Sequence, residues 1–291
     1  MRAERKSSSP TEVGEYITTI RTFMDLQLSG RVAVVTGASK GMGLAITRTL
    51  LQEGARVVAA SRKISPGLHE LAGPNLVHVP VDLTDRDAPA YVVERAITEF
   101  GQLDILVNNA GGPPPGVSLP RGSFMDASDE DWQAMFNFNL FAVVRAVRAA
   151  IPHLLKSDAA AIVNITSGNA HQPSPINVDY GAAKAGLANL TKQLSGEFGP
   201  QGIRVNAVVP GVTLTEWWTE EGGVADKIAA QAGADRDSVI NTIVPQMLNL
   251  STGRFVQPQE IADAVVLLAS PRSGSTTGTE LVVDGGQLKE I

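Results

Sequence analysis

The chain has 291 residues, of which 43 % are hydrophobic and 19 % charged, the balance of a globular protein with a substantial core. A net charge of −6 argues against nucleic acid or an anionic membrane as the main partner. Cysteine is absent, which excludes disulfides, thiolate chemistry and cysteine-ligated metals, and no apolar run reaches the length of a membrane span. His69, His78, His153 and His171 show no metal-ligand spacing, so no metal site is expected.

Residues 1–23 are polar, with Arg2, Glu4, Arg5, Lys6 and the run Ser7-Ser8-Ser9-Pro10. They lack the apolar stretch of a secretory signal, and Glu4, Glu12 and Glu15 count against a transit peptide. Three readings stand open: a flexible extension, a short amphipathic turn of Ile17, Ile20, Phe23 and Met24 docked on a neighbour, or translation starting at Met24. One domain is expected over residues 24–291, in a cytoplasmic protein.

Val32-Ala33-Val34-Val35 reads as a buried parallel strand leading into Thr36-Gly37-Ala38-Ser39-Lys40-Gly41-Met42-Gly43. A helix over 42–53 follows, capped by Gly54. Strand 56–61 and a weak helical stretch broken by Pro66-Gly67 come next, then strand Leu76–Val79. Helix Ala88–Phe100 stops at Gly101, and strand Leu103–Val107 follows. Ser128, with Asp131 three residues on, opens a long helix to about Leu155. Strand Ala161–Ile165, helix 180–198, strand 204–209, helix 257–268 and strand 280–283 complete the series. Strand–helix alternation with β-branched strands predicts a parallel sheet covered on both faces. Gly37, Asp82, Asn109, Ser167 and Pro210 each follow a strand end, so right-handed crossovers bring them to one crevice.

Glycines 37, 41 and 43 suit a tight turn, close backbone approach to a pyrophosphate and intimate helix packing. The helix after them aims its N-terminal amides and positive dipole end at those phosphates. Farther on, Tyr180 and Lys184 share one helix face. A free tyrosine has a pKa of about 10, and a nearby ammonium pulls it down toward the range where it can act as acid and base. Alone, this pair reads equally as a surface contact; it gains weight from the glycine turn, from Ser167 thirteen residues before Tyr180, and from Asn139.

Together these motifs resemble the short-chain dehydrogenase/reductase family, from about Leu26 to Gly286. The resemblance rests on Thr36 to Gly43, Asp82, Asn108-Asn109-Ala110-Gly111, Asn139, Ser167, Tyr180 with Lys184, Pro210-Gly211 with Thr215, and Thr277-Gly278 through Asp284-Gly285-Gly286. Its closest flavour is that of 3-oxoacyl-carrier-protein reductase-like members. It implies a single-domain, doubly wound Rossmann fold with a mainly parallel seven-stranded sheet and a substrate lid around 212–254. It also implies a ketone–alcohol oxidoreductase in which Tyr180 donates the proton and Ser167 holds the carbonyl oxygen. Lys184 would lower the tyrosine pKa and bind the nicotinamide ribose, and Asn139 would hold a water toward Lys184. A polar residue satisfying backbone at a helix kink is the alternative for Asn139.

The resemblance gives the cofactor contacts as Gly37, Ser39, Lys40, Gly41, Met42, Gly43, Ser61, Arg62, Asp82, Leu83, Asn109, Ala110, Gly111, Tyr180, Lys184, Pro210, Gly211, Thr213 and Thr215. Asp82 would hold the adenine amino group. Charge argues for NADP(H): the end of the second strand reads Ala60-Ser61-Arg62-Lys63, with no acid, and Lys40 lies inside the turn. NAD(H) is the alternative, as is a non-catalytic dinucleotide-binding regulator. The substrate is expected to be a small carbonyl compound or its alcohol. Trp217-Trp218, Ile240, Val244 and Met247 suggest a mobile apolar lid, or a helix docked on the sheet. Trp132, Met135, Phe136, Leu140, Val143, Val144 and Val147 make the long helix apolar beyond one stripe, and the family pairs such helices in homotetramers.

Overall fold

A computed structural model describes residues 24–121, 123–175 and 177–289. The alternatives for residues 1–23 lie outside the described residues. Seven strands form one sheet: β1 (Val32–Thr36), β2 (Arg56–Ser61), β3 (Leu76–Pro80), β4 (Ile105–Asn108), β5 (Ala161–Ile165), β6 (Arg204–Pro210) and β7 (Glu280–Val283). Their order is β3-β2-β1-β4-β5-β6-β7, and every adjacent pair is parallel. The chain builds outward from β1 to β3, then crosses back to β4 on the other side. That reversal opens a crevice beyond the C-terminal ends of β1 and β4, where a doubly wound sheet binds ligands.

The main helices are α1 (Gly41–Gln52), α2 (Ala88–Phe100), α3 (Asp129–Phe136), α4 (Ala142–Leu154), α5 (Val178–Phe198), α6 (Val224–Ala232) and α7 (Pro258–Ala269). Because successive strand residues face opposite sides, Val35 and Val34 enter different cores. Val35, Val107 and Val163 pack with Ile46 and Leu50 of α1 and Ile261 and Val265 of α7. Val34, Leu106 and Ile162 pack with Val92 of α2, Val147 of α4 and Leu187 of α5. Both faces are covered, which is why β1, β4 and β5 read as continuous apolar runs rather than alternating ones.

Local signals account for most boundaries. Gly54 and Gly101 follow α1 and α2 with φ of 80° and 77°, a conformation glycine adopts without a Cβ penalty. Ser128 and Asp131 form the reciprocal capping box that opens α3. Two expectations are corrected. Pro66 does not break a helix: it opens the short turn Pro66–His69, and the Ser65 hydroxyl caps it by accepting from Leu68 N at 3.1 Å. The helix of Tyr180 starts two residues earlier than expected, at Val178.

The long helix is continuous over Asp129–Leu154, with a π-helical turn at Asn137–Phe141. Its 26 residues are long enough for a membrane span, and one 18-residue stretch of it has a mean hydropathy of 1.3, although Arg145 and Arg148 interrupt any continuous apolar run, as the sequence reading expects. Its apolar stripe is instead turned inward, with Ala146, Val147, Ala150 and Leu154 buried against the sheet. Met135, Val143 and Val147, expected on a surface between subunits, are also buried within this chain, while Phe141 and Leu155 stay exposed.

The segment over 212–254 has a small core of its own. Trp218 meets Phe255 edge-on at 4.9 Å and is buried with Val224, Ala225, Val239, Val244 and Leu250. Trp217 and Met247 remain exposed.

Candidate active site

The glycine turn is held together by side chains from β1 and the end of β4. Thr36 Oγ1 accepts the backbone N–H of Asn109 and Ala110, each at 3.0 Å. Asn109 Nδ2 donates to the carbonyls of Thr36 and Gly37 at 2.8 and 3.2 Å. The Asn109 amide nitrogen thus fastens the turn, while its Oδ1 is buried without a partner among the described residues. Gly37 and Gly41 have φ of 66° and 54°, and a Cβ on Gly43 would lie 2.1 Å from the Gly37 carbonyl oxygen. Only a glycine at 43 lets α1 start this close to β1, leaving its first amides facing the crevice.

Farther along the crevice, Gly211 follows β6 so tightly that a Cβ there would meet Asp284 at 2.7 Å. This packing sets the course of the chain through Thr213, which pairs with Val256, to Thr215 beside Gly41. Asp82, after β3, accepts from Thr84 N at 3.0 Å and Thr84 Oγ1 at 2.8 Å, both on Oδ1. Those bonds, with Arg62 nearby, hold its carboxyl below the usual range although burial opposes them. Leu83 is buried.

Ser167 stands just past β5, and Tyr180 lies in the first turn of α5. Burial pushes the Tyr180 phenol up, and the Ser167 hydroxyl beside it pulls the other way. The expected lowering by Lys184 is not visible in the protein alone: its Nζ lies 5.8 Å from the Tyr180 ring centroid and donates to Ile165 O at 2.7 Å. Lys184 is itself buried, which brings its pKa down to about 8. Asn139 sits at the π-helical turn. Its Nδ2 donates to Gly112 O at 2.9 Å and Met135 O at 3.0 Å, and its Oδ1 accepts Gly112 N at 2.8 Å. These bonds match the alternative of a polar group satisfying backbone at a kink. They also press the loop onto Lys184, since a Cβ on Gly111 would lie 2.9 Å from its Nζ.

The Lys184 burial has a thermodynamic consequence. A lysine whose folded pKa is about 8 against an ordinary 10.5 opposes folding while charged, so its stabilising contribution is full only above the unfolded value. It is lost as pH falls through about 8. The unfolding free energy of wild type relative to Lys184→Met is expected to rise between about pH 8 and 10, by at most about 1.4 kcal/mol per pH unit. Parallel denaturation curves check this; a difference flat in pH would contradict it.

At the dinucleotide end, Ser61 departs from expectation. Its hydroxyl donates to Lys63 O at 3.0 Å and lies 2.9 Å from His78 Nε2, so it is not free to donate to a 2′-phosphate. Arg62 is exposed at the mouth, and Lys40 pairs with Glu220 at 3.6 Å, both ends well exposed. The residues fit a dinucleotide: a turn in which Gly43 admits no Cβ, the N-terminus of α1 directly behind it, and Arg62 and Lys63 with no acid at the end of β2. One group there suits an anion poorly. Glu216 Oε2 is buried without a partner among the described residues, and would lie 3.3 Å from a Cβ on Gly41.

Sequence reasoning missed the buried network behind the crevice. Asn108 Nδ2 donates to Asn164 Oδ1 at 2.8 Å and Asn164 Nδ2 to Thr191 Oγ1 at 2.9 Å, linking β4, β5 and α5. It also missed Arg121 and Asp179, which form an ion pair at 2.6 Å. No local pattern flags these partners, because 58 residues separate the last two.

A glycine turn beside β1, with Ser167, Tyr180 and Lys184 on the opposite wall, is an arrangement suited to hydride transfer beside a nicotinamide. The family model described as short chain dehydrogenase matches residues 31–223. The chain belongs to the short-chain dehydrogenase/reductase family and is an oxidoreductase of that class. It is 32 % identical over 271 residues to a 3-oxoacyl-(acyl-carrier-protein) reductase of Thermotoga maritima, covering 90 % of this chain and 99 % of that protein. It is 34 % identical to a cis-4-hydroxycyclohexanecarboxylate dehydrogenase of Sinomonas cyclohexanicum, covering 88 % and 96 %. Among solved structures, L-sorbose reductase of Gluconobacter frateurii, crystallised with NADPH and L-sorbose, superposes with a TM-score of 0.83 at 33 % identity, covering 92 % of this chain and all of that one.

Proposed function

We propose that the protein is an NADP(H)-dependent reductase of a small ketone, or the dehydrogenase of the corresponding secondary alcohol. The observation that carries the chemistry is the Ser167–Tyr180–Lys184 wall, formed where β5 and α5 meet the switch point of the sheet. Bound NADPH would supply the hydride. Tyr180 gives a proton to the carbonyl oxygen, and Ser167 donates a hydrogen bond to that oxygen as charge develops on it. Lys184, anchored on Ile165 O, holds a positive charge beside the Tyr180 ring and would bind the nicotinamide ribose. Asn139 keeps the Gly111–Gly112 loop against Lys184. Asp82 Oδ2 would accept from an adenine amino group, and Thr213 and Thr215 would fix the nicotinamide carboxamide.

The preference for NADP(H) rests on Arg62 and Lys40. A phosphate on the adenosine ribose would meet a guanidinium where NAD-binding folds carry a carboxylate. The NADPH in the solved L-sorbose reductase supports the same reading. Arg62→Asp is expected to weaken NADPH at least about tenfold more than NADH, because it exchanges attraction for repulsion beside one phosphate. Titration of both cofactors by protein fluorescence, followed by a panel of carbonyl substrates, tests this. Wild type binding NADH as tightly as NADPH would remove the NADP assignment and leave an NAD-dependent alcohol dehydrogenase.

The exposed Phe141 and Leu155 support pairing of the long helices between subunits in a homotetramer. Light scattering at micromolar concentration is expected to give a fourfold mass; a value near the 30.6 kDa of one chain would exclude assembly.

A further inference from the structure

The loop after β4 carries a buried cation with no part in the hydride-transfer chemistry. The Arg121 side chain is 9 % exposed; it donates through Nη2 to Asp179 Oδ2 at 2.6 Å and through Nη1 to Asp131 Oδ2 at 3.3 Å. Asp179 is fully buried and directly precedes Tyr180, whose backbone N–H donates to Asp179 Oδ1 at 2.9 Å. Asn177, at the N-cap of α5, makes no side-chain capping bond, so Asp179 is the side chain that holds this first turn. On the other side, Asp131 accepts Ser128 N at 3.1 Å and so closes the capping box of α3. One guanidinium therefore ties together the first turns of two helical segments. One leads into the turn bearing Asn139, and the other bears Tyr180.

Stability alone is a weak explanation for this arrangement. Desolvation offsets much of the attraction in a buried ion pair, and an apolar pair of similar volume holds two helices together at least as well. What the planar fork adds is geometry, because it fixes two carboxylates in defined directions. Geometry matters most beside a reacting group, where a displacement of about 1 Å can cost on the order of a hundredfold in rate.

We propose that Arg121 is a positioning residue for Tyr180: its fork on Asp179 and Asp131 sets the first turn of α5 against α3 and so aims the phenol at the Ser167 hydroxyl. The proposal rests on Tyr180 being the proton donor. Lys184 lies one turn farther on and is anchored separately on Ile165, so the cofactor side of the site does not depend on the fork. Loosening the fork should therefore lower turnover and leave cofactor binding intact.

The test replaces the pair by Arg121→Met with Asp179→Asn, which strands no buried charge and keeps an acceptor for Tyr180 N. NADPH affinity is expected to stay within twofold of wild type while kcat on the best ketone of the carbonyl panel falls at least about tenfold. Arg121→Lys, which keeps the charge but not the fork, is expected to recover only part of that loss. A double variant within twofold of wild type in kcat would overturn the proposal, as would an equal fall in affinity and turnover, which marks a general structural role. Should the double variant fail to fold, Arg121→Lys decides alone: full wild-type kcat refutes the fork. Tyr180→Phe run alongside separates the two readings. If it retains turnover, the proton-donor assignment itself fails; if it is inactive while the double variant is active, only the role of Arg121 is lost.

Discussion

Tyr180→Phe is expected to keep the fold and the cofactor affinity and to lose at least about a hundredfold in kcat, the lower end of what a positioned proton donor contributes. The substitution deletes the hydroxyl and leaves the ring, so the packing of α5 on the sheet is preserved. The Ser167 hydroxyl keeps its bond from Asn169 N at 3.2 Å and can still donate to a carbonyl oxygen by itself. Residual activity should therefore come from hydride transfer without proton donation, and its pH dependence should flatten. In the protein alone, burial holds the phenol protonated, the form needed to donate in the direction of reduction. Stopped-flow turnover and fluorescence titration on the same preparation check both halves. A kcat near that of wild type at neutral pH would refute the mechanism.

Gly43→Ala is expected to cause the largest loss of stability. Its Cβ would lie 2.1 Å from the Gly37 carbonyl oxygen, 2.5 Å from Asn109 Nδ2 and 2.8 Å from the Gly37 carbonyl carbon. Two of these three neighbours are backbone, and the third is the side chain that fastens the turn, so none can retreat as the tip of a flexible chain does. Relief requires α1 to move away from β1, which opens the core around Ile46 and Leu50 and breaks the Asn109 bonds. Overpacking of this kind costs about 3 kcal/mol, the upper end of its usual range, and the variant should also lose NADPH binding because the amides of α1 shift. Thermal unfolding with and without NADPH measures both. A variant that melts like wild type and is still stabilised by NADPH would show that the turn yields more easily than its contacts imply.

Position in the crevice explains what each site residue does better than its identity does. Asn109, expected at the cofactor, and Asn139, expected to hold a water toward Lys184, both direct their amide nitrogens at backbone. Ser61 has the hydroxyl expected for a phosphate contact, but a buried place beside His78 and Lys63 consumes it. These side chains shape the site by holding its loops still.

The sequence by itself determined the alternation of strands and helices, the parallel sheet, the turn at residues 36–43 and the grouping of Ser167, Tyr180 and Lys184. Each is written locally: as a β-branched run, a glycine spacing or an i,i+4 pair, with physical consequences that act within a few residues. Only the tertiary structure decided that the long helix passes through a π-helical turn at Asn139. It also decided that Trp218 closes a separate core with Phe255, and that Arg121 reaches Asp179 across 58 residues of chain. Those outcomes depend on which side chains meet after the sheet has formed, and on which backbone groups are left to be satisfied when they do. A polar residue carries the same hydrogen-bonding capacity wherever it stands, and its partner is chosen by the packing around it.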